Sequence, residues 1–267
     1  MNNINYSEIL ERSPLLHIKN ICADVSDTRI LNGLDLDIYS GEIHVIMGPN
    51  GCGKSTLSKI LAGHPAYNVI SGNIELCGKD IMTMTPEERS HAGLFLAFQY
   101  PVEIPGVSNF DFLRAAYNEK EKSLGKEEIG PMEFMTIFNE KSEALKIPSD
   151  FGGRDLNDGF SGGEKKRNEI LQMLLLQPQL VILDEIDSGL DVDALKVICA
   201  NLRTNLPEKT SLLIITHYQK ILDYLPPTTV HIMKHGKIVK TGSKDLVYQL
   251  NLHGYDFFAN TDVKNKS

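Results

Sequence analysis

The first 80 residues of the chain show two different hydrophobic patterns. Apolar and polar residues alternate over 16–21, 28–31, 34–38 and 72–78, whereas 43–47 is a nearly continuous apolar run. Alternation is typical of strands with one solvated face, and a short continuous run is typical of a strand that is buried on both faces. We therefore predict an antiparallel β subdomain that packs against a second, buried sheet.

The middle of the chain changes to a helical pattern. An apolar strand over 94–98 ends in the amide residue Gln99, and 100–106 contains two prolines and a glycine, which predicts a loop that continues neither sheet nor helix. Apolar residues then recur at helical spacing through 108–147, with a polar break at 125–130. This segment is predicted to form a helical insertion in an α/β core.

The last third of the chain returns to short apolar strands that alternate with helices. Residues 180–183 and 211–215 are apolar strands, and 192–205 between them has helical spacing. The final pair of strands, 229–233 and 237–240, is predicted to form a hairpin. Strands and helices that alternate in this way indicate an α/β fold with a parallel sheet.

A glycine-rich stretch joins the buried strand at 43–47 to a segment with helical spacing. It fits the pattern G-x-x-x-x-G-K-[ST], in the strand-loop-helix context that this motif requires. The glycines let successive N–H groups point at one anion, and the helix N-terminus adds positive charge. The lysine can reach the β- and γ-phosphates and the serine can ligate Mg²⁺, whereas a turn with an incidental lysine is the alternative. The predicted nucleotide-binding residues are Gly48, Pro49, Asn50, Gly51, Cys52, Gly53, Lys54, Ser55 and Thr56.

Size, charge and cysteine content narrow the class of protein. With 267 residues, 42% of them hydrophobic, the chain can bury a core without disulfides. A net charge of −8 without any lysine- or arginine-rich block argues against nucleic acid as a partner. No apolar run reaches the roughly 18–20 residues that cross a bilayer, and the first residues lack the features of a signal or transit peptide. We expect a soluble protein with reduced thiols, of which Cys52, near a helix N-terminus, is a candidate for unusual reactivity.

Four polar residues follow apolar strands. Asp184 and Glu185 come directly after the strand at 180–183, at the end of a strand where ligands sit in open α/β sheets. Asp184 is predicted to belong to the Mg²⁺ shell, and Glu185 to polarise the attacking water. Gln99 can touch Mg²⁺ or that water, and His217 can donate a hydrogen bond to the γ-phosphate. For each of them a loop start, a helix cap or a surface polar residue is the alternative.

A second anion-binding loop is predicted at Ser161, Gly162 and Gly163, which precede a helix with Glu164 in its first turn. A chain that already holds one triphosphate site has little use for another phosphate-gripping loop on itself. We therefore infer that these residues contact the γ-phosphate that is bound at Lys54 of another copy. A simple capped helix N-terminus is the alternative.

The order of these motifs resembles that of the ABC ATPases. The Walker A, Q-loop, signature, Walker B and switch histidine of that family correspond here to 48–56, Gln99, 161–164, 184–185 and His217, and the D-loop to Ser188, Gly189, Leu190 and Asp191. The resemblance implies a RecA-like P-loop core with an antiparallel β subdomain and a helical subdomain. It further implies Mg²⁺-dependent hydrolysis of ATP in a transient head-to-tail homodimer, with the D-loop in communication between the copies.

The same resemblance divides the chain. We expect one ABC ATPase domain over 15–258, between an N-terminal extension at 1–14 and a flexible tail at 259–267. Within it, 15–98 and 172–258 would form the catalytic core with the β subdomain, and 99–171 the helical subdomain with Q-loop and signature.

Three segments, 161–169, 187–196 and 216–224, are similar more narrowly to the SufC family, the ABC-type ATPases of the SUF iron–sulfur cluster assembly machinery; 100–107 is similar too. The resemblance implies SufB-like and SufD-like scaffold proteins as partners, in place of membrane domains. It also implies an ATP cycle that drives their rearrangement. It fits a bacterial cytoplasm and a plastid stroma equally.

Two other functions stay open from the sequence. The nucleotide-binding subunit of a membrane ABC transporter carries the same Walker and signature motifs, and a clamp that binds ATP with little turnover would keep most of them. Glu185 and His217 count against the clamp. Transport ATPases usually offer an aromatic residue for the adenine upstream of Walker A, where this chain has none over 23–26, so that Val25 or Ile30 would contact the base instead.

Overall fold

The computed structural model describes residues 13–98, 101–188 and 190–258. Its strands are β1 (Leu16–Val25), β2 (Thr28–Ile38), β3 (Ile43–Met47), β4 (Asn68–Leu76), β5 (Lys79–Asp80), β6 (Leu94–Ala97), β7 (Ile104–Ser108), β8 (Asp155–Leu156), β9 (Leu180–Asp184), β10 (Ser211–Ile215), β11 (Thr229–Lys234) and β12 (Lys237–Gly242). Its α-helices are α1 (Lys54–Leu61), α2 (Pro86–His91), α3 (Asn109–Ser123), α4 (Pro131–Ala144), α5 (Gly162–Leu176), α6 (Val192–Asn205), α7 (Ile221–Tyr224) and α8 (Asp245–His253). Within these described ranges, no helix has both the length and the apolar character that crossing a bilayer demands.

The central sheet has the strand order β12-β11-β3-β10-β9-β6. Strands β11, β3, β10, β9 and β6 run parallel, and β12 joins them as the antiparallel partner of β11. The predicted parallel sheet and the predicted hairpin are therefore confirmed. Because parallel strands end at one edge of a sheet, the residues that follow β3, β6, β9 and β10 come together there.

The predicted antiparallel β subdomain is a sheet with the order β2-β1-β4-β5. The inward residues of β1, such as Leu16 and Ile18, are buried in one apolar cluster with Ile46, Ile182 and Ile215 of the central sheet. The apolar residues of the alternating pattern thus face this interface, and the polar residues between them face the solvent.

The opposite face of the central sheet packs on the helices. Val45 and Leu183, each next in sequence to a residue that faces the β subdomain, belong to a second cluster with Phe134 and Phe138 of α4. Because both faces of these strands are covered, their sequences are almost continuously apolar. The helical insertion is confirmed as α3 and α4, with the chain turning at the predicted break. The predicted boundary between 171 and 172 falls inside α5.

The prediction of a loop over 100–106 is wrong at its C-terminal end, where β7 pairs with β8. The ladder joins Ile104 to Leu156 and Ser108 to Asp155, with an irregularity between the two pairs. At that irregularity the N–H of Gly106 donates to the Asp155 carboxylate, at 2.7 Å, rather than to a strand carbonyl. A two-stranded ladder with such a bulge tolerates Pro105, because no neighbour needs its missing N–H.

Candidate functional site

The glycine-rich loop between β3 and α1 is shaped by close backbone contacts. A Cβ atom added at Gly48 would lie 2.3 Å from the carbonyl oxygen of Met233 in β11. Gly53 has a φ of 109° and forms the N-terminal cap of α1. The N–H of Gly236, in the turn between β11 and β12, donates to the carbonyl oxygen of Cys52 at 3.0 Å. The β11–β12 hairpin therefore packs against the loop, and a side chain at Gly48 or Gly53 would displace the loop.

Lys54 is buried within this loop. Its Nζ donates to the carbonyl oxygens of Gly48, at 2.8 Å, and of Pro49, at 3.1 Å. These contacts fold the side chain back over its own loop. The positive charge is thus fixed close to the predicted phosphate position.

The loop forms one wall of an open cavity of about 410 Å³, which is lined by Ile30, Asn50, Gly51, Gly53, Lys54, Ser55, Thr56 and Glu185. Cys52 points away from it and is buried. Burial raises the pKa of the Cys52 thiol, and the nearby Lys54 charge only opposes that rise. The expectation of an unusually reactive cysteine is therefore wrong, since reactivity needs a lowered pKa.

Asp184, at the end of β9, contacts the first turn of α1. Its carboxylate accepts hydrogen bonds from Ser55 Oγ, at 3.3 Å, and from Ser58 Oγ, at 2.7 Å. Burial raises the pKa of Asp184, and the two hydroxyl groups oppose this rise. The role of Ser58 was missed from the sequence; its position three residues after Ser55, on the same helix face, was the available signal.

Glu185 and His217 face each other across the ends of β9 and β10. The Oε1 atom of Glu185 lies 3.3 Å from Nδ1 of His217. The backbone N–H of Glu185 donates to the carbonyl oxygen of Ile215 at 2.9 Å, and Glu185 has a φ of 50°. A left-handed backbone is costly for a residue with a Cβ and persists where the surroundings enforce it. Here it turns the carboxylate toward the cavity.

A buried hydroxyl–carboxylate contact joins the segment that follows Glu185 to the residue that precedes His217. Thr216 Oγ1 donates to Asp187 Oδ2 at 2.6 Å, and the N–H of Tyr218 donates to Thr216 Oγ1 at 2.8 Å. Burial raises the pKa of Asp187, and the Thr216 hydroxyl opposes the rise. Neither Thr216 nor Asp187 was selected from the sequence, because nothing local indicates that two turns so distant in sequence meet.

The predicted signature residues begin α5. Ser161 accepts a hydrogen bond from the N–H of Glu164, and the Glu164 carboxylate accepts one from the N–H of Ser161 at 2.8 Å. With the Arg154 guanidinium 2.8 Å away, this backbone N–H lowers the pKa of Glu164 to about 2. A Cβ atom added at Gly162 would meet nothing within 4 Å. The capped-helix alternative is thus correct as a description of the fold, and it leaves the face at Gly162 and Gly163 open.

The structure brings some of the predicted residues together and separates others. Lys54, Ser55, Asp184, Glu185 and His217 meet at one edge of the central sheet. Ser161, Gly162 and Gly163 lie at the start of α5 and do not line the cavity in the part of the chain that the structure describes.

The predicted D-loop links β9 to α6. Ser188 is exposed, Leu190 is half-buried, and Asp191 caps α6 by accepting a hydrogen bond from the N–H of Ala194 at 2.7 Å. Gly189 and Gln99 lie outside the described residues.

Comparison with known proteins assigns the family. The sequence profile of the family described as ABC transporter matches residues 31–188. The chain belongs to the ABC transporter family. It is 57% identical to the probable ATP-dependent transporter ycf16 of Trieres chinensis, over 91% of this chain and 97% of that protein. It is 52% identical to the probable ATP-dependent transporter SufC of Escherichia coli, over 90% of this chain and 97% of that protein.

Solved ABC structures share the fold. The ATP-binding subunit of an ABC transporter superposes with a TM-score of 0.74 at 22% identity, covering 92% of this chain and 98% of that one. A dimeric ATP-binding cassette bound to ADP and Pi gives 0.73 at 18% identity, covering 85% and 98%. The chain is therefore an ABC-type ATPase of the SufC and ycf16 kind, and it hydrolyses ATP.

Proposed function

We propose that this ABC ATPase is the ATP-hydrolysing subunit of a SUF-type iron–sulfur cluster assembly complex. ATP closes two copies head to tail, and the closure drives rearrangement of SufB-like and SufD-like scaffold proteins. The observation that carries the proposal is the 52% identity to SufC of Escherichia coli over 90% of the chain. A chloroplastic relative in Arabidopsis thaliana, 50% identical, supports a plastid stroma as the compartment, and the relative in Escherichia coli supports a bacterial cytoplasm.

Within the site, Lys54 and backbone N–H groups of the loop at 48–56, in which Pro49 has none to offer, hold the β- and γ-phosphates. Ser55 and Asp184 fit Mg²⁺, because they offer a hydroxyl and a buried carboxylate oxygen 3.3 Å apart, and hard cations prefer oxygen ligands. We assign Gln99 to the same ion. When bound, Mg²⁺ neutralises charge on the phosphate oxygens.

We assign the chemical step to Glu185 and His217. The Glu185 carboxylate polarises the water that attacks the γ-phosphorus atom and takes a proton from it, while the bond from this phosphorus to the β-phosphate oxygen breaks and ADP leaves. His217 contacts that carboxylate and donates a hydrogen bond to the γ-phosphate as charge develops on it. Gln99 orients the same water. The cavity, which Glu185 and Lys54 line together, gives room for these groups to act on one phosphate.

The second half of each site comes from the other copy. Ser161, Gly162 and Gly163 contact the γ-phosphate that the partner's loop holds, which accounts for an open helix N-terminus outside its own cavity. We assign the communication of closure between the two sites to Ser188, Gly189, Leu190 and Asp191. We keep the division into a core at 15–98 and 172–258 and a helical subdomain at 99–171, with α5 crossing the boundary.

A second candidate is the nucleotide-binding subunit of a membrane ABC transporter, which the names of the relatives favour, since both are called probable ATP-dependent transporters. Affinity purification from native extract separates the two. Tagged protein that carries Glu185→Gln, to hold the ATP state, is expected to retain two SufB-like and SufD-like soluble proteins. The control is Lys54→Ala, which cannot hold ATP. Recovery of integral membrane permease subunits with Glu185→Gln but not with this control would overturn the proposal in favour of the transporter.

A further inference from the structure

The strand ends that carry Glu185 and His217 are joined to each other at two points. The first is a backbone bond, in which the N–H of Glu185 donates to the carbonyl oxygen of Ile215 at 2.9 Å. The second is made by side chains in the interior, where Thr216 Oγ1 donates to Asp187 Oδ2 at 2.6 Å. Thr216 is fully buried and Asp187 is 8% exposed. The buried bond therefore lies next in sequence to His217 and two positions beyond Glu185.

The Thr216 hydroxyl also closes a turn around His217. Its oxygen accepts a hydrogen bond from the N–H of Tyr218 at 2.8 Å, so that the two bonded residues flank the histidine. The hydroxyl proton goes to the Asp187 carboxylate, and a lone pair of the same oxygen receives the Tyr218 amide. One oxygen atom thus connects Asp187 to the turn that carries His217.

We propose that Asp187 is a positioning residue for ATP hydrolysis. Through the Thr216 hydroxyl it fixes the turn around His217 and thereby keeps the imidazole beside Glu185, whose Oε1 lies 3.3 Å from His217 Nδ1. Glu185 lines the nucleotide cavity together with Lys54. The inference rests on the role proposed for His217 in the chemical step. It adds that this histidine is placed from the segment between β9 and α6.

Stability alone does not explain a carboxylate at this position. Burial raises the pKa of Asp187, which means that the interior disfavours its ionised form. Among the residues that the structure describes, none other than Asp187 itself donates a hydrogen bond to its Oδ1 atom. Replacing both members of a buried hydrogen bond by apolar groups of the same shape can be nearly neutral for stability. A charge-assisted hydrogen bond instead fixes the orientation of the turn at Thr216, which apolar contacts do not.

The test compares two replacements of Thr216. Thr216→Ser keeps the hydroxyl that donates to Asp187, whereas Thr216→Val keeps the shape of the side chain and removes the hydroxyl. Because Thr216→Val leaves the buried carboxylate without this donor, the double variant Thr216→Val/Asp187→Ala guards against misfolding. We expect kcat to fall about 10- to 100-fold in both valine variants and less than about threefold in Thr216→Ser. The KM for ATP is expected to change less than about twofold, because the phosphate loop is untouched.

Hydrogen exchange reports on the turn independently of activity. Exchange at the Tyr218 amide is expected to accelerate in both valine variants, which lack the oxygen that accepts its N–H, and to stay close to wild type in Thr216→Ser. Thr136→Val, at an exposed threonine of α4, is the control that keeps both the wild-type kcat and the wild-type exchange at Tyr218.

The same substitutions are then made with His217→Ala. If Asp187 acts through His217, the valine variants cause no further loss of kcat in that background. The inference would be overturned, with the role of His217 intact, by a folded double variant with wild-type kcat or by an undiminished loss beside His217→Ala. A loss in Thr216→Ser equal to that in Thr216→Val would overturn it as well. A His217→Ala variant with wild-type kcat would instead refute the role of His217 and the inference with it.

Discussion

Glu185 Oε1 lies 3.3 Å from Nδ1 of His217, at the meeting point of two neighbouring parallel strands. Glu185 is largely buried, with 14% of its side chain exposed, whereas His217 retains 40%. The carboxylate is thus the fixed member of the pair and the imidazole the more accessible one.

This pair leads to the first prediction. Glu185→Gln keeps the shape of the side chain but cannot take a proton, so ATP hydrolysis is expected to fall about 10²- to 10⁴-fold. Binding of ATP needs only the phosphate loop, and ATP-induced dimerisation is therefore expected to persist. Phosphate release and light scattering with ATP measure the two properties. Asp193→Asn, at a side chain that is 93% exposed, is the control. Turnover at the wild-type rate in Glu185→Gln would remove Glu185 from its assigned role.

The open face at Gly162 gives a prediction about the other copy. A Cβ there meets nothing within 4 Å inside the chain, so Gly162→Ala is expected to fold with unchanged stability. If the partner's phosphate approaches this backbone, the added methyl group blocks it, and ATP-dependent dimerisation and turnover are lost together. Gly130→Ala, at a helix start that is equally open, is the matched control. A Gly162→Ala protein that still dimerises on ATP would contradict the head-to-tail arrangement.

Ser58 supplies a prediction about metal binding. Its hydroxyl is buried and donates to Asp184 at 2.7 Å, so Ser58→Ala leaves a buried carboxylate short of one partner. We expect a loss of about 1–2 kcal/mol in the free energy of unfolding and a higher Mg²⁺ concentration for half-maximal ATPase activity. Ser90→Ala, on α2 and exposed, should alter neither. Unchanged Mg²⁺ dependence in Ser58→Ala would mean that Asp184 needs no help from Ser58 in holding the ion.

A polar chain through the central sheet predicts pH-dependent stability. His231 Nε2 lies 2.9 Å from Nδ1 of His44, whose Nε2 lies 2.8 Å from Glu42, and His231 Nδ1 lies 2.9 Å from the Thr241 hydroxyl. Burial, and next the His44 ring, lowers the pKa of His231 from 6.5 to about 4, so the folded state keeps this ring neutral while the unfolded chain takes up a proton. Its contribution to stability is present above pH 6.5 and is lost as the pH falls toward 4, by at most about 3 kcal/mol.

Denaturant unfolding at several pH values checks this contribution. His231→Gln, which hydrogen-bonds without titrating, is expected to flatten the decline between pH 6.5 and 4 relative to the natural chain. The exposed His64→Gln is expected to follow the natural chain closely. Parallel curves for all three proteins would show that the buried histidine pair does not govern acid sensitivity.

The fold was predictable where the signal is local. The buried strand at 43–47, the glycine-rich loop and the break at 125–130 each carry their own pattern, and the structure has the expected elements there. β7 was missed because its ladder depends on Asp155, far along the chain, and because Pro105 argues against a strand. Ser58 and Thr216 were missed for a similar reason, since a hydroxyl group has no sequence signature for its partner.

Helix α5 has 15 residues and is followed by Gln177, whose φ of 42° turns the backbone sharply. At a rise of about 1.5 Å per residue, the helix is a stiff rod about 22 Å long, and a tilt of about 10° at its far end sweeps Ser161 through roughly 4 Å. That sweep exceeds the length of any hydrogen bond. A tilt of that size would therefore be enough to bring a phosphate into or out of hydrogen-bonding distance of the helix N-terminus.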